Sequence, residues 1–280
     1  MNPGPIVSAQ WLADNLGNPS LVVADVRWSL GAPGADRAEY VAGHVPGAVF
    51  VDLDEDLSDA TGPGRHPLPS PERFAESMGA LGIGDDTLVV TYDASSGSVA
   101  ARLWWMLRNQ EHSVAVLEGG WQAWVDLCLP VETVVAEPNH ATFSVRGPWS
   151  GTVDRDQLTS HLGDVVLLDA RAGERYRGAI EPVDPVAGHI PTAVSLPFTA
   201  LLEEGRLRPD TESLLREAGM GGDQPVVVSC GSGVTACSLA LAAAVVGLPD
   251  PLLYPGSWSD WSGSGYPVAT GDEPGEPPPR

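Results

Sequence analysis

The feature that most constrains this 280-residue chain is that it repeats itself once. The first half carries VVADVR (22–27), GHVPGAV (43–49), LVVTYD (88–93) and LEGGWQAW (117–124). The second half carries VLLDAR (166–171), GHIPTAV (188–194), PVVVSC (225–230) and YPGSWSDW (254–261), in the same order. The spacing is kept as well: Asp93 to Trp121 and Cys230 to Trp258 both span 28 residues. Two copies of one fold follow. In each copy, short β-branched apolar runs alternate with helical patterns such as PERFAESMGALG (71–82), where Pro71 suits a helix start. Continuous apolar strands separated by helices predict an α/β fold, with a mostly parallel sheet flanked by helices in each copy.

The expected domains are 1–130 and 149–270, joined by a linker at 131–148 and followed by a disordered tail at 271–280. The linker lies in a stretch (129–148) without helical periodicity, and the tail is rich in Pro and charge.

Composition narrows the function. Asp and Glu number 37 against 15 basic residues, all of them Arg, for a formal charge of −22. That balance, with no local Arg cluster, argues against nucleic acid and anionic membranes as partners and removes Lys-dependent chemistry. The opening MNPGPIVSAQWLADN has no basic and apolar leader pattern, so no signal peptide is expected. Three cysteines at 128, 230 and 237 match no zinc or disulfide framework. A cytoplasmic setting is expected, with no metal and no organic cofactor.

Cys230 carries the chemistry. It follows the strand VVVS and opens CGSGVT, after which the pattern is helical. Gly231 and Gly233 allow a tight loop with inward N–H groups, and a helix N-terminus favours a thiolate. Cys128 and Cys237 are read instead as inert small hydrophobes. A cysteine phosphatase would need an Arg six residues after the nucleophile, where this chain has Ala236, and a protease-like Cys–His pair has no marked partners. Attack on sulfur, giving a persulfide at Cys230, is the remaining chemistry.

In these elements the chain resembles the tandem-domain rhodanese-like sulfurtransferases over about residues 5–270. The resemblance rests on the paired D-x-R strands, both GH-V/I-P segments, FVDLDEDLSD (50–59), CGSGVT and the paired G-G/S-W-x-x-W ends. It implies a silent first copy, with Asp93 standing where Cys230 stands, and a catalytic second copy. It also implies a small sulfur donor, and a thiol or cyanide acceptor, thioredoxin-like proteins included. The neutral CGSGV loop is similar to that of 3-mercaptopyruvate sulfurtransferases rather than the basic loop of thiosulfate specialists. On that likeness Ser232, His66 in GRHPLP and Asp54 (with Asp52 close by) form a proton relay for the leaving enolate.

Arg175 matches the arginine that grips the donor, and Gly231, Gly233, Val234 and Thr235 line the sulfur. A second donor-binding Arg of those enzymes is missing: this chain reads IEPVDPVAGHIP, with Val183 at about its place. Arg171 and Arg27 are expected to pair with internal carboxylates. The GH histidines and Trp121, Trp124, Trp258 and Trp261 are expected to serve packing, and Arg102, Trp104 and Trp105 to brace the domain interface. A thiosulfate:cyanide sulfurtransferase and a non-enzymatic sulfur carrier or regulatory module are the competing readings.

Overall fold

A computed structural model describes residues 3–32, 34–94, 96–135 and 137–278. Ser95 of the YDASSGS loop, Ala136 of the expected linker and the last two residues of the tail lie outside them. The chain forms two compact units. One comprises residues 1–59, 69–150 and 204–206; the other comprises 60–68, 151–203 and 207–280.

The first unit holds β1 (Ile6–Val7), α1 (Ala9–Asn15), β2 (Leu21–Asp25), α2 (Ala35–Ala42), β3 (Val49–Phe50), α3 (Pro71–Ala80), β4 (Leu88–Tyr92), α4 (Ala100–Asn109), β5 (Ser113–Leu117) and α5 (Gly120–Asp126). Its sheet runs β1-β5-β4-β2-β3, with every pairing parallel. The helix expected at 71–82 forms over Pro71–Ala80, with Ser70 accepting the Arg73 N–H and Pro at the first turn. Its Phe74 and Met78 are fully buried.

The second unit holds α6 (Arg155–His161), β6 (Val166–Asp169), α7 (Gly173–Tyr176), β7 (Ala193–Ser195), the short strands β8 (Leu202–Glu203) and β9 (Arg206–Leu207, whose first residue belongs to the first unit), α8 (Thr211–Glu217), β10 (Val226–Ser229), α9 (Ala236–Val245), β11 (Leu252–Leu253) and α10 (Ser257–Gly263). Its sheet runs β11-β10-β6-β7, again all parallel. Helix α9 is apolar on every side, and eight of its residues are buried, so it is a core helix rather than an amphipathic cover.

The repeated motifs do the same structural work in both units. Arg27 forks onto Asp25, donates to the Gly43 carbonyl at 2.7 Å and lies over Trp121. Arg171 forks onto Asp169, donates to the Gly188 carbonyl at 2.7 Å and lies over Trp258. His44 stacks on Tyr40 and bonds its carbonyl, as His189 does with Tyr176. Trp124 and Trp261 donate to the carbonyls of Pro130 and Pro267. Each pair closes a buried arginine or indole with its required partner, which explains why the motifs recur whether or not the copy is catalytic.

Three segments differ from expectation. The stretch 131–148 is bound along the first unit rather than crossing free. Its Glu132 exchanges both backbone bonds with His44, its Phe143 packs between Phe74 and His112, and Ser144 bonds Asp85. The described part of the tail is tied to the second unit, not disordered. Gly271 N–H donates to the Arg177 carbonyl, Thr192 N–H to that of Pro274, and the Glu273 carbonyl faces His189 Nε2 at 3.1 Å. Backbone groups placed opposite unpaired partners outweigh the polar composition there. Residues 60–68, which follow the first GH segment in sequence, belong to the second unit.

Candidate active site

The site is built where β10 ends. Cys230 directly follows that strand, and the loop 230–235 leads into α9. Cys230 is only 3% exposed. Its N–H donates to Ser257 Oγ at 3.1 Å, and its carbonyl accepts the Trp258 N–H at 3.0 Å. The next carbonyl, that of Gly231, accepts the Ser259 N–H at 2.9 Å. Three residues at the start of α10 therefore clamp the backbone of the nucleophile. Gly233 has φ +75°, and a Cβ there would run into the Pro255 carbonyl. Only glycine satisfies both demands.

The loop 60–68 supplies the opposite wall. Gly64 (φ +84°) lies against the Gly256 carbonyl, and the Arg65 N–H donates to Ser259 Oγ at 3.0 Å. These contacts seat His66, whose Nδ1 is 2.8 Å from Ser232 Oγ, with both residues buried. His66 and Ser232, the latter two residues after Cys230, are thus brought together across 166 positions. Asp54 lies in the first unit, exposed, with its carboxylate accepting the Trp28 indole N–H at 3.2 Å. Asp52 accepts the N–H groups of Asp54 and Glu55, which makes it a turn former.

Two guanidiniums face the cysteine loop. A Cβ on Gly231 would lie 3.2 Å from Arg65 Nη2 and 3.4 Å from Arg175 Nη1. Arg175, on α7, is anchored to Glu181 at 2.7 Å and to Asp184 at 3.1 Å. Arg65 is anchored to the other oxygen of Asp184 at 2.7 Å. Glu181 also accepts the N–H groups of Val183 and Asp184. Burial alone would raise its pKa, but the Arg175 hydrogen bonds and those backbone donors outweigh it and hold the carboxyl below its ordinary range. Val183, at about the place of the arginine this chain lacks, donates its N–H to Glu181, and Arg65 is the second guanidinium beside Gly231. Sequence reasoning missed Arg65; its signal was the Gly-Arg pair just before His66, which recurs as Gly205–Arg206 in the second repeat. It also missed Ser257, which was visible as the single Gly-to-Ser change in the paired GGW and GSW motifs.

The other cysteines have different surroundings. Cys237 is fully buried in α9, with its Sγ 3.4 Å from the Gly233 carbonyl. Cys128 is exposed rather than buried, in a left-handed turn after α5. All three cysteines are free thiols. Arg102 is fully buried in the first unit, donating to the Leu57 carbonyl. An open cleft of about 410 Å³ in the second unit is rimmed by Asp154, Asp156 and Asp260 and does not include Cys230; its acidity suits no anionic donor. Among the described residues no three His, Cys, Asp or Glu side chains are placed to hold a metal ion, and no helix is long and apolar enough to cross a membrane.

The rhodanese-like domain model matches residues 8–127 and 154–264. The chain is 40% identical to a probable 3-mercaptopyruvate sulfurtransferase of Pseudomonas aeruginosa, over 97% of this chain and 100% of that protein. It is 41% identical to a putative thiosulfate sulfurtransferase of Mycobacterium tuberculosis, over 88% and 89% of the two chains. Among solved structures it is similar to a 3-mercaptopyruvate sulfotransferase from Escherichia coli, with TM-score 0.80 and 36% identity over 91% of this chain and 98% of that one.

Proposed function

The chain belongs to the rhodanese-like domain family, and from that premise we propose that it is a sulfurtransferase moving sulfane sulfur from 3-mercaptopyruvate to a thiol or cyanide through a Cys230 persulfide. The observation that carries the donor assignment is the buried 2.8 Å contact of His66 with Ser232 beside the cysteine loop. Thiosulfate releases sulfite without taking up a proton. Mercaptopyruvate releases an enolate that must take one, so only the latter has use for such a pair.

In the first half-reaction the Cys230 thiolate attacks the donor sulfur. The new S–S bond forms as the C–S bond breaks, and the C–S electron pair leaves with pyruvate as its enolate. Ser232, backed by His66, delivers the proton to that carbon. Arg175 holds the donor carboxylate. The loop N–H groups from Gly231 through Thr235 and the start of α9 stabilise charge on the outer sulfur. In the second half-reaction an acceptor thiolate or cyanide takes the outer sulfur and the Cys230 thiolate returns, so the kinetics are ping-pong. Thioredoxin-like dithiols in the cytoplasm fit the acceptor step, and three free cysteines fit a reducing compartment. The first repeat, with Asp93 in place of the nucleophile, is the silent one.

One observation favours thiosulfate as a second reading: two guanidiniums, Arg65 and Arg175, stand at the loop. The deciding experiment follows thiocyanate formation with both donors side by side, with Cys230→Ala as control. Higher kcat/KM for 3-mercaptopyruvate, lost in the control, is expected. His66→Ala should then lower kcat with that donor by roughly 10²-fold while leaving thiosulfate turnover nearly unchanged. Preference for thiosulfate would overturn the donor assignment. Silence with both donors in folded, reduced protein would favour a sulfur carrier or regulatory module.

A further inference from the structure

The charges around the cysteine loop balance. Arg65, Arg171 and Arg175 are linked by ion pairs to Asp169, Glu181 and Asp184, three cations to three anions. The three carboxylates have different surroundings. Asp169 is taken up by the Arg171 fork, and Glu181 by Arg175 and two backbone N–H groups. Asp184 instead gives one oxygen to Arg65 and the other to Arg175, the two guanidiniums that face Gly231. Its side chain is 4% exposed, so little solvent screens it from either cation.

From this bracket we propose that Asp184 sets the net charge of the donor subsite, so that the site discriminates against dianionic sulfur donors and in favour of monoanionic ones. The inference rests on the sulfur-transfer reading for its biological meaning, though not for its test. The physical argument is Coulombic. Both guanidiniums are half spent on Asp184, so a donor meets a neutral cluster in a protein that is strongly acidic throughout. One negative charge is accommodated by hydrogen bonds from the exposed edges of the two forks. A second charge gains nothing from the cluster and is opposed by the Asp184 carboxylate.

The test compares wild type with Asp184→Asn and Arg65→Gln at fixed ionic strength. Turnover is measured with thiosulfate and with 3-mercaptopyruvate. In parallel, sulfate and pyruvate are titrated as dianion and monoanion probes for protection of Cys230 against iodoacetamide, read on the Cys230 peptide by mass. Asp184→Asn should improve the dianion relative to the monoanion by on the order of tenfold in both readouts. Arg65→Gln should move the same ratio the opposite way. Equal shifts for the two charge types in Asp184→Asn, or no shift, would overturn the proposal. Should that variant fail to fold, an unchanged ratio in Arg65→Gln would overturn it alone. Absence of turnover in wild type would sink the sulfur-transfer reading, and the protection ratios would still decide the role of Asp184.

Discussion

The two loops that follow β4 and β10 begin from the same strand end and reach the same tryptophan, yet they finish in different chemistry. In the first unit Asp93 is fully buried, and its carboxylate accepts the N–H groups of Gly97, Val99 and Ala100 at 2.7–2.8 Å. An internal anion thus fills the nest of donors ahead of α4. In the second unit the same position is Cys230, a side chain that can enter or leave the charged state and form a bond to sulfur. The turn that clamps each loop differs in one residue. Gly120 (φ +57°) lies against the Asp93 carbonyl, whereas Ser257 takes the left-handed conformation at φ +50° and spends its hydroxyl on the Cys230 N–H. The lesson is that one backbone design, an anion nest at a strand end, serves either as a structural cap or as a reaction site. The side chain at its mouth decides which.

The strongest attempt to break that comparison is to move the nucleophile. Asp93→Cys in a Cys230→Ala background should leave sulfur transfer down by roughly 10³-fold or more, measured as thiocyanate formation. In the first repeat Glu39, before Tyr40, stands where Arg175 stands before Tyr176, and the Gly-Arg segment that belongs to the first unit, Gly205–Arg206, is followed by Leu207 rather than a histidine. Recovery to within tenfold of wild type would mean the nest alone makes the catalyst. Next in size, Asp93→Ala strands three buried N–H donors and should cost about 3 kcal/mol or more of stability, read by denaturant unfolding. A cost under 1 kcal/mol would show that the carboxylate is not what the nest requires.

Smaller effects sharpen the contrast. Ser257→Gly relieves a left-handed conformation worth about 1 kcal/mol but removes the hydroxyl from Cys230 N–H. Stability should stay within about 1 kcal/mol while kcat falls several-fold; an unchanged kcat would make Ser257 a structural residue only. The units should also differ in acid. Burial, only partly offset by Asp85, lowers the pKa of His112 in the first unit below its usual 6.5. The unfolded chain therefore binds the proton first, and this stability is complete above 6.5 and is lost as pH falls from there through its lower folded value. Glu181 in the second unit is held below its ordinary 4.5, so its contribution persists above 4.5 and is lost only as pH falls through its lower folded value. Hydrogen exchange across pH 7 to 4 should loosen the first unit before the second, and His112→Phe should remove the early phase. Loss of the second unit first would contradict this order.

Much of this was legible in the chain. Strands at 21–25, 88–92, 166–169 and 226–229 were readable because parallel core strands must be nearly continuously apolar, and each ends at a residue with a polar group that the fold buries. Cys230 was readable because strand, thiol, glycines and helix follow one another without a break, so local geometry alone makes the nest. His66 and Ser232 were named through likeness to a family, and Arg175 likewise; nothing local to those residues marks their meeting.

What the sequence determined by itself is therefore the part whose physics is local: the repeat, the alternation of strands and helices, the cysteine loop, and the glycine at 233 that a left-handed turn demands. The tertiary structure decided the rest. It attached residues 60–68 to the second unit, joined Arg65 to Asp184 across 119 positions, bound the polar tail by its backbone, and placed Ser257 under the nucleophile. These are pairings of charges and hydrogen-bond groups that exist only once the chain has closed on itself. No window of sequence contains both partners, and the energy that selects them arises from burial that distant segments create together.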